Sequence, residues 1–211
     1  MRLTDPPRAS DRTTGAPPDV ETWARLREAD PDALASLFNR HVDAVYNFAF
    51  RRTASWASAD DVTQATFLTT WRRASAGSLP ELDHQTALPW LLGVADHESR
   101  DLYRGLLRRQ RLHQRLDSVR PSKQHETDHA ESVTQQLHDE QQMARIREAV
   151  RVLPAHQRVV VELVVWSRLS VAETASALGV AEGTVKSRMS RAKRRLGAAL
   201  TPTTHAFEED R

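Results

Sequence analysis

The residues with the plainest chemical character stand near the C-terminus. From Lys186 to Arg195 the chain carries six cations, Lys186, Arg188, Arg191, Lys193, Arg194 and Arg195, and no anion. Solubility needs only mixed charges, so a run of one sign marks a surface for a polyanion, most often nucleic acid. If all six met phosphates, the logarithm of affinity would fall with log salt at a slope of about −5. Other chemistries lack their residues. The chain has no Cys, which excludes thiol nucleophiles, disulfides and thiolate metal sites. His125 and His129 have a metal-compatible spacing but stand in a polar stretch without matched Cys or carboxylate ligands, and no metal site is expected. There is no phosphate-binding Gly loop, nucleophile motif or paired acids in a recognisable setting. The expectation is therefore no catalytic residue, no cofactor and no enzymatic activity.

The basic run needs a scaffold, and the flanking residues supply one. Val185, Met189, Ala192 and Leu196 recur at four, three and four residues, one stripe of a helix starting near Glu182. Burying that stripe turns Lys186, Ser187, Ser190, Arg191 and Arg194 outward. Upstream, Ser170 and Glu173 form a capping-box pair that starts a short helix through Leu178, and Gly179 can take the left-handed conformation that ends it. Short helix, tight turn and long basic helix make a helix-turn-helix, whose second helix enters the major groove. Its N-terminal outward residues then reach base edges while flanking cations meet phosphates.

The rest of the chain reads as helix, with no convincing two-residue alternation. Residues 1–21, with Pro6, Pro7, Pro17 and Pro18, have the composition of a disordered lead. Asp30 and Pro31 open a helix carrying Leu34, Leu37, Phe38, His41, Val42, Val45 and Phe48. A second starts near Ala59 to Asp61, a loop spans Ala76 to Asp83, and a third helix follows Pro89 and ends in Arg100, Arg104, Arg108, Arg109 and Arg111. Residues 113–137 read as a linker; periodicity resumes at Met143, breaks at Pro154, and continues through the β-branched run Val159 to Val165 as a buried helix. The fold class expected is all-α: two small helical domains joined by a flexible linker, the C-terminal one a helix-turn-helix, with a tail at 201–211. No window approaches about 18 uninterrupted apolar residues, so neither membrane span nor signal peptide is expected, and the setting expected is cytoplasmic. The formal net charge is only +2. It hides a split: residues 31–110 hold nine basic and nine acidic residues, residues 142–200 eleven and four.

Five segments carry a specific resemblance. Glu182-Gly-Thr-Val-Lys-Ser-Arg188, followed by Arg191-Ala-Lys-Arg-Arg-Leu196 and preceded by Leu153-Pro-Ala-His-Gln-Arg158, resembles the C-terminal DNA-binding domain of extracytoplasmic-function sigma factors. Ala59-Asp-Asp-Val-Thr-Gln-Ala-Thr-Phe-Leu-Thr-Thr-Trp-Arg72 resembles the family's polymerase-clamp helix, and Pro89-Trp-Leu-Leu-Gly-Val-Ala95 the start of its promoter-melting helix. The resemblance implies that residues 22–112 bind core RNA polymerase and melt the minus-10 element, and that residues 138–200 read the minus-35 element. It implies polymerase contacts at Asp60, Asp61, Gln64, Phe67 and Leu68, and minus-10 contacts at Arg100, Tyr103, Arg104, Arg108 and Arg109, with a base extruded near Ser78 to Leu88. Trp71 and Trp90 are expected as core aromatics. For the minus-35 element it implies base reading by Lys186, Ser187, Ser190 and Arg191, and phosphate contacts by Arg188, Lys193 and Arg195. The partners implied are the clamp and flap of core polymerase, promoter DNA and an anti-sigma factor. This chain departs from the pattern at Ala65, at Ala181, and at Asp96, His97 and Glu98, whose acids should repel phosphate. A polymerase-independent helix-turn-helix regulator is the alternative; a response regulator of that kind would alternate strands with helices in its N-terminal half.

Overall fold

The computed structural model describes residues 18–116 and 130–200. Most of the expected lead, the central part of the expected linker with His125 and His129, and the tail lie outside the described residues. Every regular element among the described residues is helical: α1 (Asp19–Arg27), α2 (Pro31–Thr53), α3 (Trp56–Ser75), α4 (Leu88–Leu116), α5 (Ala130–Val150), α6 (Ala155–Val161) running into a π-turn (Glu162–Trp166), α7 (Val171–Leu178) and α8 (Glu182–Leu200).

Local chemistry sets the boundaries in the N-terminal half. The Asp30 carboxylate accepts from the backbone N–H groups of Asp32 (2.9 Å) and Ala33 (3.4 Å), and Pro31 follows as the first helical residue. α2 ends at Ala54 in the left-handed conformation, and Ser55 at once caps α3 by accepting from Ser58 N. The expected start near Ala59 therefore lies one turn inside the helix. α2 buries Ala33, Leu37, His41, Val45 and Phe48 along one stripe. α3 answers with Ala59, Val62, Thr63, Thr66, Phe67, Thr70 and Ala74. Three of these are threonines, each tolerated in the core because its hydroxyl donates to the carbonyl four residues back at 2.7 Å.

α1 was not foreseen, and the expected lead to residue 21 overlaps its first turn. Trp23 and Leu26 are fully buried, and Asp19, 5% exposed, is tied into the core. Trp23 packs edge-on against Trp90 with ring centroids 5.0 Å apart, which makes Trp90 the core aromatic expected of it.

In the C-terminal half Leu153, Val161 and Ala192 pack with Met189 and Leu196, while Val160, Ala175 and Val185 pack with Val164, Val171 and Leu178. Val159, Leu163 and Leu169 instead join the core of the N-terminal domain. α6 thus lies between two cores, and its β-branched run is a helix buried on more than one side. α4 continues to Leu116 and α5 begins at Ala130, so both ends of the expected linker are helical.

Candidate nucleic-acid interface

The helix-turn-helix is built by the local devices its sequence contains. Ser170 Oγ accepts from Glu173 N (3.2 Å) and Glu173 Oε2 accepts from Ser170 N (2.8 Å), a complete capping box. Gly179 sits at φ 61°, ψ 40°, and the Val180 N–H closes back on Ala175 O at 3.0 Å. The Ala181 carbonyl accepts the first helical bonds of α8.

Along α8, Val185 and Ala192 are fully buried and Met189 and Leu196 half-buried, as the stripe predicts. Lys186, Ser187, Ser190, Arg191, Lys193, Arg194 and Arg195 are exposed, and Arg188 is half-buried. Two expected base readers already have neighbours on their own helix. Lys186 Nζ lies 3.5 Å from Glu182, and Ser187 Oγ donates to Thr184 O at 3.0 Å. Arg191, Lys193, Arg194 and Arg195 form no ion pair with any described residue, and Arg191, Arg194 and Arg195 line one shallow open concavity with Ala198. That leaves them for an outside anion.

α3 and α4 carry the other expected contacts. Asp60, Asp61, Gln64 and Leu68 are exposed on α3, Leu68 by 47%. Phe67, expected on the same face, is buried, with its ring centroid 4.8 Å from that of Phe38 in an edge-to-face pair. Phe67 supports the face and does not present itself on it. On α4, Tyr103 is 56% exposed, and Arg100, Arg104, Arg108 and Arg109 are all exposed. Arg104 is paired with Asp101, and Arg100 with Asp96.

The acids that should repel phosphate are otherwise engaged. Asp96 is buried, turned inward to Arg52 at 2.9 Å, and paired with Arg100. Glu98 accepts from Thr69 Oγ1 at 2.8 Å. The expected repulsion is thereby corrected for Asp96, whose charge is neutralised on two sides.

Arg52 also pairs with Glu162, on the far side of the expected linker. Burial pushes the Glu162 carboxyl above its ordinary value, although the charge and hydrogen bond of Arg52 pull the other way. Further contacts join the halves: Arg51 donates to Trp166 O (3.3 Å), Arg147 to Thr53 O (2.7 Å), Ser176 Oγ to Asp83 (3.0 Å), and Trp56 N to Glu140 (2.8 Å). A close approach of backbones is at Gly93 on α4, where a Cβ would stand 2.3 Å from Ala177 O on α7. The first helix of the helix-turn-helix thus rests on the first turns of α4, while α8 faces solvent.

Comparison with known proteins gives this arrangement its family. The Sigma-70 region 2 family matches residues 37–110, and the Sigma-70 region 4 family matches residues 143–196. The SigL ECF RNA polymerase sigma factor of Mycobacterium tuberculosis is 32% identical over 179 residues, covering 82% of this chain and 91% of SigL. This chain belongs to the extracytoplasmic-function sigma factors. The BldN sigma factor of Streptomyces coelicolor is 30% identical over 181 residues, 86% of this chain; this chain spans 65% of the length of BldN. The solved structure of CnrH in complex with the cytosolic domain of CnrY shares the fold, with a TM-score of 0.60 at 23% identity over 86% of this chain and 96% of that one. In this sigma factor the region 4 match takes in α7, its capping box and α8 as far as Leu196, cationic face included, and the region 2 match begins inside α2. α1 lies outside both. Among the described residues no helix is long and apolar enough to cross a membrane, and no group of His, Asp and Glu is arranged to hold a metal.

Sequence reasoning missed Asp19, Trp23, Arg27, Arg52 and Gly93. Trp23 and Leu26 at three-residue spacing were the available signal for α1, hidden by the Pro-rich stretch before it. No local pattern marks Arg52 or Gly93, whose partners lie far away in the chain.

Proposed function

We propose that this sigma factor places core RNA polymerase on promoters through two surfaces with separate tasks. α8 reads the minus-35 element as duplex, Lys186, Ser187, Ser190 and Arg191 toward base edges and Arg188, Lys193 and Arg195 toward phosphates. A Lys or Arg reaching guanine discriminates by about 1–3 kcal/mol. Arg100, Tyr103, Arg104, Arg108 and Arg109, on the outer part of α4, meet the opened minus-10 strand, and an extruded base is received at the loop of residues 78–88. Extrusion costs a few kcal/mol, which stacking at about 1–3 kcal/mol per base and phosphate contacts can offset. Asp60, Asp61, Gln64 and Leu68 dock on the polymerase clamp, and the C-terminal domain meets the flap. Restraint comes from an anti-sigma factor, and the protein acts in the cytoplasm as an initiation factor with no catalysis of its own.

The observation that carries this reading is the exposed face of α8, whose Arg191, Lys193, Arg194 and Arg195 have no ion-pair partner among the described residues. The reading also requires motion. The two promoter elements lie about one and a half duplex turns apart, roughly 50–55 Å, so α7 must leave Gly93 when both are engaged. Adding the chain to core polymerase and a template pool randomised at both elements should yield transcripts that share one minus-10 and minus-35 pair. Tight binding to duplex with no transcripts would overturn the reading.

A further inference from the structure

Residues 79–87 form the end of the connection from α3 to α4, and their shape comes from outside. Between Leu79 and Thr86 no backbone group bonds to another backbone group among the described residues. Apart from the Ser176 Oγ bond to Asp83 at its tip, the bonds that tie the segment to other elements come from α1. Trp23 Nε1 donates to Pro80 O at 2.8 Å, and Arg27 Nε donates to Leu79 O at 3.2 Å. The Arg27 guanidinium also reaches Glu81 at 3.0 Å. At the other end Asp19 Oδ2 accepts from Thr86 Oγ1 at 2.9 Å and from Ala87 N at 2.8 Å. Asp19 is itself fixed from α2 by His41 Nε2 at 2.7 Å and by Arg40. Leu79 and Ala87 are buried, while Glu81, Asp83 and Gln85 are exposed. The loop is thus pinned at both ends by one nine-residue helix and presents only its tip.

We propose that α1 is a positioning element for minus-10 recognition, in which Asp19, Trp23 and Arg27 hold residues 79–87 in the shape that receives the extruded base. The proposal rests on the reading of this loop given above. A loop that must be ordered when the base arrives loses part of the interaction to ordering, and one held in advance does not. The brace therefore acts on discrimination at the minus-10 element and leaves the minus-35 surface and the α3 face untouched.

The test uses the full chain with core polymerase. Trp23→Phe keeps an aromatic ring against Trp90 and removes the donor to Pro80 together with part of the buried indole; Arg27→Gln, at a partly exposed side chain, removes the contacts to Leu79 and Glu81 without opening the core. Asp19 is left intact, because its loss would disturb the core. Hydrogen exchange at the Ala87 amide, which bonds Asp19, should quicken by roughly threefold to tenfold when both donors are removed. On the template pool randomised at both elements, the double variant should lose most of the minus-10 preference of the wild type. Its minus-35 preference and core affinity should stay the same. Unchanged exchange in the loop, or faster exchange with the minus-10 preference intact, would overturn the proposal, as would equal losses at both elements. A wild-type chain that transcribes the pool with no minus-10 preference would overturn the underlying reading of the loop, a result distinguishable because it precedes any variant.

Discussion

Gly93→Ala should open the molecule while strengthening the helix that carries the substitution. In the closed arrangement the new Cβ would stand 2.3 Å from Ala177 O and 3.2 Å from its carbonyl carbon. Ordinary contact begins at 3.4 Å, so α4 and α7 must part by about 1 Å, and the obstacle is backbone that cannot rotate away. Overpacking of this kind costs about 1–3 kcal/mol. Replacing a mid-helix Gly by Ala gains roughly 0.5–1 kcal/mol, but it does so in the open and closed forms alike. The closed-to-open equilibrium therefore shifts by the whole packing cost, about fivefold to 150-fold. The assay is thiol cross-linking of Asp83→Cys with Ser176→Cys, side chains that meet at 3.0 Å in a chain with no other Cys. Gly93→Ala in that background should lower cross-linking, by at most that factor, and raise the helix content of the N-terminal domain. Equal cross-linking with and without the substitution would refute the docking of α7 on α4.

Other outcomes follow from single side chains. Arg191→Ala should weaken minus-35 binding by about 1–3 kcal/mol in a filter or anisotropy assay and spare core binding, and unchanged promoter discrimination would remove Arg191 from the base-reading set. Leu68→Ser, at an exposed position, should lower affinity for core polymerase with little change in melting temperature, whereas Phe67→Ala should cost about 3–5 kcal/mol of stability as a buried aromatic. The reverse pattern would contradict their assignment to face and core. For Asp19, burial opposes ionisation, but the hydrogen bond and charge of His41, the Ala87 N–H and Arg40 outweigh it and hold the carboxyl well below its ordinary value of 3.8. A carboxylate with a depressed native pKa contributes stability that is complete above its unfolded value and is lost as pH falls toward the native one. Thermal melts should therefore fall steeply below about pH 4, and Asp19→Asn should cost about 3 kcal/mol at pH 7 and flatten that acid limb. An acid limb as steep in Asp19→Asn as in the wild type would assign the loss to other groups.

What the sequence showed plainly was whatever its neighbours in the chain determine. The capping box of Ser170 and Glu173, the turn at Gly179 and the stripe from Val185 to Leu196 each close within a few residues, and the helix-turn-helix they specify stands as read. The hidden parts depend on distant partners. α1 starts after Pro18 with no side-chain cap, and Asp19 is at home in the core only because His41, Thr86 and Ala87 arrive from other elements. Asp96 looked like a bare acid on a DNA-facing helix until Arg52 and Arg100 were placed beside it. Phe67 was assigned to a surface by its position in a motif, and Phe38 on α2 is what covers it. The run Val159 to Val161 lacked a polar side because α6 packs toward both domains.

The division of labour between the two DNA surfaces is tested most directly by probing one selected promoter with permanganate and nuclease together. Core alone and the chain alone should leave thymines across the minus-10 element unreactive to permanganate. The two together should make them reactive and protect the minus-35 element as duplex, with Arg191→Ala reducing that protection. Strong minus-35 protection by the chain alone, with no opening of the minus-10 element when core is added, would contradict the account.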